Sequence, residues 1–168
     1  GFFGLPGLAV ELPVTTALML RSIAEIARDE GEDLNEVEPR LACLEVFAFG
    51  GPARGEEAAD TGYYAVRSVL AKTLSEAAQA VSQHGLLRES SSVLVRYVAR
   101  IASRFGVTVS EKIAAEAVPF FGAASGAALN VLFTRHFQDM GRGHFIIRRL
   151  ERQYGPEAVR SSYQALLP

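Results

Sequence analysis

Residues 13–31, PVTTALMLRSIAEIARDEG, decide the fold class of this chain of 168 residues. Polar side chains recur three or four positions apart along this stretch, and apolar side chains fill the other positions. That spacing is typical of an α-helix, because a strand would alternate every second residue. Pro13 lacks an amide hydrogen and suits a first helical turn, and Gly31 is a typical helix stop. The stretch therefore predicts an amphipathic helix from about Pro13 to Glu30.

Similar punctuation continues along the rest of the sequence. Glycine, proline and capping residues separate further helical segments, which we predict at about 39–49, 61–83, 93–105, 108–118, 123–139, 143–154 and from Pro156 onward. One break rests on Gly106 with the capping box Thr108/Glu111 after it, and another on the turn Gly141–Gly143. Strand-like alternation is nearly absent. We therefore predict an all-α fold: one domain over residues 1–168, a compact bundle of about seven helices with Gly/Pro-rich apolar hairpins, more than about 60% helical.

Composition and charge limit the partners of the chain. It is 49% hydrophobic and 21% charged, which excludes disorder and leaves membrane contact open. The net charge of −2 conceals an asymmetry, because residues 1–60 carry 12 acids and 4 bases, whereas residues 61–168 carry 7 acids and 13 bases. Either the two parts attract each other within one fold, or the basic part faces an anionic partner. No basic run is typical of a nucleic-acid-binding arm, so we do not predict a nucleic-acid partner.

The single cysteine, Cys43, stands among apolar neighbours with no histidine nearby to activate it. We predict that its thiol is buried and unreactive. One cysteine and no visible secretory signal fit a cytoplasmic protein, either free or peripheral to a membrane. Because the chain opens inside an apolar segment, we also expect it to be cut from something longer.

Five residues are candidates for a catalytic site between the first helix and the region 136–144: Glu11, Glu25, His136, Asp139 and His144. Imidazoles and carboxylates on facing helices can bind a divalent metal, which would suit metal-assisted hydrolysis. The alternative is that Glu25 lies on a solvated stripe of the first helix, that His136 and Asp139 form a local hydrogen-bonded pair, and that His144 begins a helix. The sequence identifies no cofactor and does not decide whether the chain is an enzyme.

Glu11 is the only charge in the first twenty residues and lies in an apolar run. Phe2-Phe3-Gly4 is echoed by Phe120-Phe121-Gly122, and Glu11 and Asn130 stand four residues beyond the glycine that follows each copy. The echo predicts two apolar hairpins that meet, with Glu11 facing Asn130. The alternative is a chance match, with Glu11 in water.

Arg96, Arg100 and Arg104 recur every four residues on one side of a predicted helix, and Arg148 and Arg149 form a second cluster. Like charges at this spacing repel mildly, so something should offset them. The acidic first sixty residues would do so, and so would lipid phosphate, to which arginine forms forked hydrogen bonds. The uncharged segment 117–133 is a buried hairpin, an interfacial segment or a marginal membrane span.

Several stretches together resemble the EcsC family. They are Gly4-Leu-Pro-Gly-Leu with Glu11-Leu-Pro-Val, the segment 18–27, LEVFAFGG at 44–51, Val118–Asn130, and HFIIRRLE at 144–151. The resemblance spans nearly the whole chain and implies a bacterial helical domain with an additional helical region before residue 1. It implies no established activity, substrate or cofactor. The apolar glycine-rich hairpins and the arginine-rich surface lead us to expect a non-enzymatic, membrane-proximal or lipid-contacting helical module. The metal-assisted hydrolase is the alternative, and the sequence does not separate a protein-binding adaptor from either.

Overall fold

The structure is a computed structural model that describes residues 4–49, 58–84, 91–116 and 123–166, with side chains described over 14–49, 62–83, 92–105 and 131–166. Six helices fill these ranges: α1 (Gly4–Asp29), α2 (Val37–Phe49), α3 (Ala58–His84), α4 (Ser91–Glu116), α5 (Ala123–Tyr154) and α6 (Pro156–Ala165). No strand occurs in the part of the chain that is described. The predicted all-α bundle and its high helix content are confirmed, with six helices rather than about seven.

Three predicted helix boundaries are wrong. α1 begins at Gly4 rather than at Pro13, α4 continues through Gly106, and α5 continues through Gly141 and Gly143. A glycine inside a helix costs only about 1 kcal/mol relative to alanine, which burial of apolar side chains on either side can outweigh. In α5 those flanking side chains are Phe137 and Phe145, which are both fully buried.

Two predicted helix stops are confirmed. Gly31 and Gly155 have φ angles of 82° and 86°, in the left-handed region that favours glycine. After α1, the Gly31 amide donates to the Arg28 carbonyl and the Glu32 amide donates to the Ala27 carbonyl. This is the Schellman arrangement, which satisfies the last carbonyl groups of a helix. The reversal that follows leaves Glu32 buried, in reach of arginines on α5.

Helix α2 lies at the centre of the bundle, because it contacts α1, α3, α4 and α5. Most of its residues are buried, as expected for a helix that is apolar all round: Pro39, Leu41, Ala42, Cys43, Glu45, Val46, Phe47 and Ala48. Phe47 meets Phe105 of α4 and Phe137 of α5 at ring-centroid distances of 5.1 and 5.3 Å. The short central helix therefore joins the longer helices around it.

Helices α1 and α5 pack against each other in parallel. Gln138 donates a hydrogen bond to the Ser22 hydroxyl at 2.9 Å, and Arg152 donates one to the Glu30 carbonyl at 2.7 Å. Residue numbers therefore increase in the same direction along both helices. A Cβ at Gly141 would lie 3.6 Å from the side chain of Ile23. Gly141 thus lies where α5 approaches α1 closely, and not in a turn. None of the helices, over the described residues, has the length and apolarity that a bilayer crossing requires.

The predicted burial of Cys43 is confirmed, since only 3% of the residue is exposed. Burial raises the pKa of its thiol to about 11. Because the thiolate is the reacting form, a thiol reagent near neutral pH should label the folded protein about a hundredfold more slowly than the same protein in denaturant. Labelling kinetics followed by mass spectrometry measure this ratio. Equal rates in the two states would contradict an unreactive thiol.

Candidate functional site

A row of three polar side chains crosses the interior of the bundle. Glu45 of α2 and His144 of α5 are each 1% exposed. The two groups face each other, with Nε2 of His144 3.9 Å from Oε2 of Glu45, which is too far for a hydrogen bond. On the other side of the imidazole, the Tyr63 hydroxyl of α3 lies 3.0 Å from Nδ1. We call Tyr63, His144 and Glu45 the buried row.

The protonation states of the buried row follow from its surroundings. Burial, assisted by the charges of Arg148 and Arg67, lowers the pKa of His144 well below its usual value, so the imidazole is neutral. Burial raises the pKa of Tyr63, whose hydroxyl keeps its proton. Tyr63 and His144 therefore share a hydrogen bond as two neutral groups, and the tautomer of the imidazole sets which of them donates.

Glu45 is the member of the row that titrates near neutral pH. Burial raises the pKa of its carboxyl group to about 7, against the opposing charges of Arg67 and Arg148. Oε1 of Glu45 and Nε2 of His144 have no hydrogen-bond partner. Buried polar atoms are nearly always paired, and an unpaired carboxylate with a strongly raised pKa is a mark of functional sites.

Ion pairs surround the buried row and neutralise the arginines that lie next to it. Arg148 donates to Glu32 and Glu38, in each case with a shortest distance of 2.8 Å. Arg67 binds both carboxylate oxygens of Glu151, at 2.8 and 2.6 Å. Two further pairs join α5 to the end of α1 and the turn that follows, Arg149 with Glu30 and Arg152 with Glu32. Acids of the first sixty residues thus bind Arg148 and Arg149, which the sequence analysis placed among the lipid-binding candidates.

A cavity of about 520 Å³ lies between α2, α3 and α5. Glu45, Arg67 and Arg148 form its polar side. Alanine and leucine side chains of α3 form an apolar side, and serine and glutamine side chains of the same helix add neutral polar groups. We call this space the Glu45 cavity.

The predicted catalytic residues lie apart. Glu25 is exposed on α1, 3.5 Å from Arg21, and Asp139 is exposed and binds Arg142 at 3.0 Å. His136 is exposed, with its ring edge-on to Phe137. Because α5 is continuous where a turn was predicted, Asp139 and His144 lie about 140° apart around one helix, so only His144 faces the interior. The described residues contain no group of three or more side chains suited to hold a metal ion. The side chains of Glu11 and Asn130 lie outside the described residues, and so does their predicted contact.

Sequence reasoning missed Glu45, although a usable signal was present. Glu45 is the one charge in the apolar run from Leu41 to Phe49, and the same kind of isolation drew attention to Glu11. Tyr63 gives no such signal, because its role depends on the position of a histidine 81 residues away.

Helices α1 and α5 also carry an exposed apolar surface. Val14 and Leu18 of α1 and Val131 and Leu132 of α5 are between 51% and 62% exposed. Because the two helices are parallel and packed together, these residues lie toward the same end of the bundle. The predicted solvated polar stripe is wrong in this half of α1, where Thr15 is buried and its apolar neighbours are exposed. We call these four residues the apolar surface.

Exposed arginines lie on α4 and α5, and two of them are close to the level of the apolar surface. Arg96, Arg100 and Arg104 on α4 and Arg135 on α5 form no ion pair within the part of the chain that is described. Phe105, next to Arg104, contacts Phe133 at 6.2 Å, so Arg104 and Arg135 lie at a similar level of the bundle. The arginines toward the other end of α5 are instead bound to carboxylates.

Comparison with known proteins gives one match. The model of the EcsC protein family matches residues 1–150. This range contains α1 to α4 and most of α5, and therefore both the buried row and the apolar surface. No curated protein and no solved structure matches the chain.

Proposed function

This chain belongs to the EcsC protein family, and we propose that it is a non-enzymatic helical module that contacts an anionic lipid surface from one side. The apolar surface carries the proposal, because it places four large aliphatic side chains in water on two adjacent helices. Scattered exposed apolar residues are ordinary in soluble proteins, but neighbouring ones on adjoining helices are typical of surfaces that contact a partner.

The energy available from this contact is sufficient for peripheral binding. Removing the exposed part of a valine or leucine side chain from water stabilises a complex by about 1 kcal/mol. The four side chains together would contribute a few kcal/mol, roughly, which is marginal without a second attraction. A peripheral module therefore needs charge as well as apolar contact.

The exposed arginines supply that second attraction. A basic side chain near an anionic membrane contributes about 1 kcal/mol, and the contribution fades with salt. Arg104 and Arg135 are available because they form no ion pair with the described residues. Arg148 is committed to Glu32 and Glu38, so we do not include it in the lipid contact.

Vesicle binding tests the proposal. The protein should cosediment with vesicles that contain phosphatidylserine and much less with vesicles of phosphatidylcholine alone, and added salt should release it. The double variant Arg104→Gln/Arg135→Gln should bind about thirtyfold more weakly, from about 1 kcal/mol for each lost charge. Arg142→Gln is the matched control, because Arg142 is exposed on α5 but already bound to Asp139.

Two results would count against the lipid contact. Equal binding to neutral vesicles would show that the arginines do not contribute to binding and that the apolar surface alone accounts for it. Absence of binding to either kind of vesicle would overturn the proposal and favour a protein partner on the apolar surface.

A further inference from the structure

We propose that the Glu45 cavity binds a small organic amine, with the ammonium group of the ligand on the Glu45 carboxylate and its apolar part against α3. This inference is separate from the lipid contact, because the cavity and the apolar surface share no residue. It rests on an unpaired acceptor, on the charges around the cavity and on the shape of its walls.

The unpaired acceptor is Oε1 of Glu45. The side chain lies in the cavity wall, and this oxygen has no hydrogen-bond partner in the protein. The nearest polar atom of His144 is 3.9 Å from the other carboxylate oxygen, so the imidazole does not satisfy the group either. Because Oε1 is itself buried, the carboxylate would turn toward the cavity to accept N–H donors from a ligand, which would provide the pairing that the fold leaves out.

The charges around the cavity favour a cation. Glu36, Glu38 and Glu45 line it, beside the guanidinium groups of Arg67 and Arg148. An anionic ligand would have to approach these three carboxylates. An ammonium group adds positive charge next to Glu45, the buried carboxylate whose Oε1 has no hydrogen-bond donor.

The two guanidinium groups are not available to attract an anion. Arg67 is held by Glu151 through two hydrogen bonds, and Arg148 is held by Glu32 and Glu38 through four. His144 adds no charge, since burial keeps it neutral. The two positive charges that α3 and α5 contribute to the cavity lining are therefore already balanced by carboxylates.

The shape of the cavity sets the rest of the ligand class. A volume of about 520 Å³ suits a small organic molecule. Ala71, Leu74 and Ala78 recur three and four residues apart and form one apolar strip along α3. The strip would take an alkyl or aryl group, so the expected ligand is an amine with an apolar end.

Isothermal titration with three probes of matched shape tests the inference. Phenethylamine carries the positive charge, phenethyl alcohol is its neutral counterpart, and phenylacetate is anionic. The amine should bind at least about tenfold more tightly than the other two, because a hydrogen bond to a charged group contributes about 1.5–3 kcal/mol. Equal affinity for the amine and the alcohol, or no binding of the amine at millimolar concentration, would overturn the inference.

Substitutions locate the binding. Glu45→Gln keeps the shape of the side chain and should weaken phenethylamine about tenfold to a hundredfold. Glu25→Gln removes an exposed carboxylate of α1 outside the cavity and should change nothing. Ala78→Leu narrows the apolar side without touching a charge and should weaken all three probes. Unchanged amine affinity in Glu45→Gln would show that the amine binds elsewhere, against the inference.

The pH dependence gives a readout that belongs to Glu45. The ammonium group binds the ionised carboxylate, whose pKa in the free protein is about 7. Affinity should therefore rise as the pH increases through neutrality, and binding near pH 7 should release protons. Titrations in buffers of different ionisation enthalpy measure this release. A binding heat that does not depend on the buffer, or an affinity that falls with rising pH, would contradict the inference.

Discussion

Replacing Arg148 with methionine is expected to lower the free energy of unfolding by about 3 kcal/mol at neutral pH. The substitution keeps much of the side-chain volume but leaves the buried carboxylate of Glu32 with Arg152 alone, and it removes the pairing of Glu38. Loss of one partner from a buried ion pair is costly because the remaining charge stays out of water. Chemical denaturation followed by circular dichroism measures the change.

The control for this prediction is Arg142→Met. Arg142 is on the same helix and pairs with Asp139 at 3.0 Å, but both side chains are largely exposed. Exposed pairs contribute little, so we expect a change within about 0.5 kcal/mol. Similar losses in the two variants would show that the buried network has no special role.

Acid should reduce the cost of Arg148→Met. Burial raises the pKa of Glu32, but hydrogen bonds and charges from Arg148 and Arg152 outweigh burial and hold this pKa below its ordinary value. A carboxyl group with a depressed folded-state pKa stabilises the fold above its unfolded pKa, and this stability is lost as the pH falls through the folded value. The difference between the two proteins should therefore shrink in that acidic range.

Glu45→Gln is also expected to change the pH dependence of stability. The direction is opposite to that for Glu32, because the pKa of Glu45 is raised rather than lowered. The pKa of Glu45 is about 7 in the folded protein, against an ordinary value of 4.5. The folded state therefore holds its proton more tightly, and the wild-type protein loses stability as the pH rises from the lower value to the higher one. From the size of this shift, the variant should gain about 2–4 kcal/mol relative to wild type between about pH 4 and about pH 8.

Denaturation midpoints at several pH values test the Glu45 prediction. At each pH, the stability of the wild type is subtracted from that of the variant, so groups common to both proteins cancel. The change of this difference with pH then reports on Glu45. Glu25→Gln serves as the control, since Glu25 is exposed and should show no such trend. A difference between Glu45→Gln and wild type that stays constant with pH would mean that Glu45 is not held in a raised-pKa environment.

Local signals in the sequence predicted the features that depend on a few neighbouring residues. Gly31 and Gly155 end helices because the chain must adopt a positive φ there, and Cys43 is buried within an apolar helix. The glycines at 141 and 143 were misread, because their effect depends on distant residues. Gly141 lies against Ile23 and Val46, and that contact is not visible in the local sequence.

The candidate site was only partly predictable for the same reason. His144 was singled out, but its neighbours are Glu45 and Tyr63 on two other helices, which no local spacing connects to it. The charge asymmetry did anticipate ion pairs such as that between Glu32 and Arg148. The charges of the two parts of the chain can be counted without knowing which helix faces pack together. Which side of α1 is exposed depends on where α5 packs, so the exposure of Leu18 followed only from the structure.

The two glycines inside α5 have a consequence for how the helix opens. Neither has a positive φ, and a side chain at Gly143 would meet nothing within 4 Å, so the fold tolerates glycine there without requiring it. Each lowers local helix stability by about 1 kcal/mol relative to alanine. They lie between the half of α5 that carries Leu132 and the half that begins at His144. Local opening is easiest at such a junction, so we expect α5, although it is one continuous helix, to open as two units, one toward the apolar surface and one beside the Glu45 cavity.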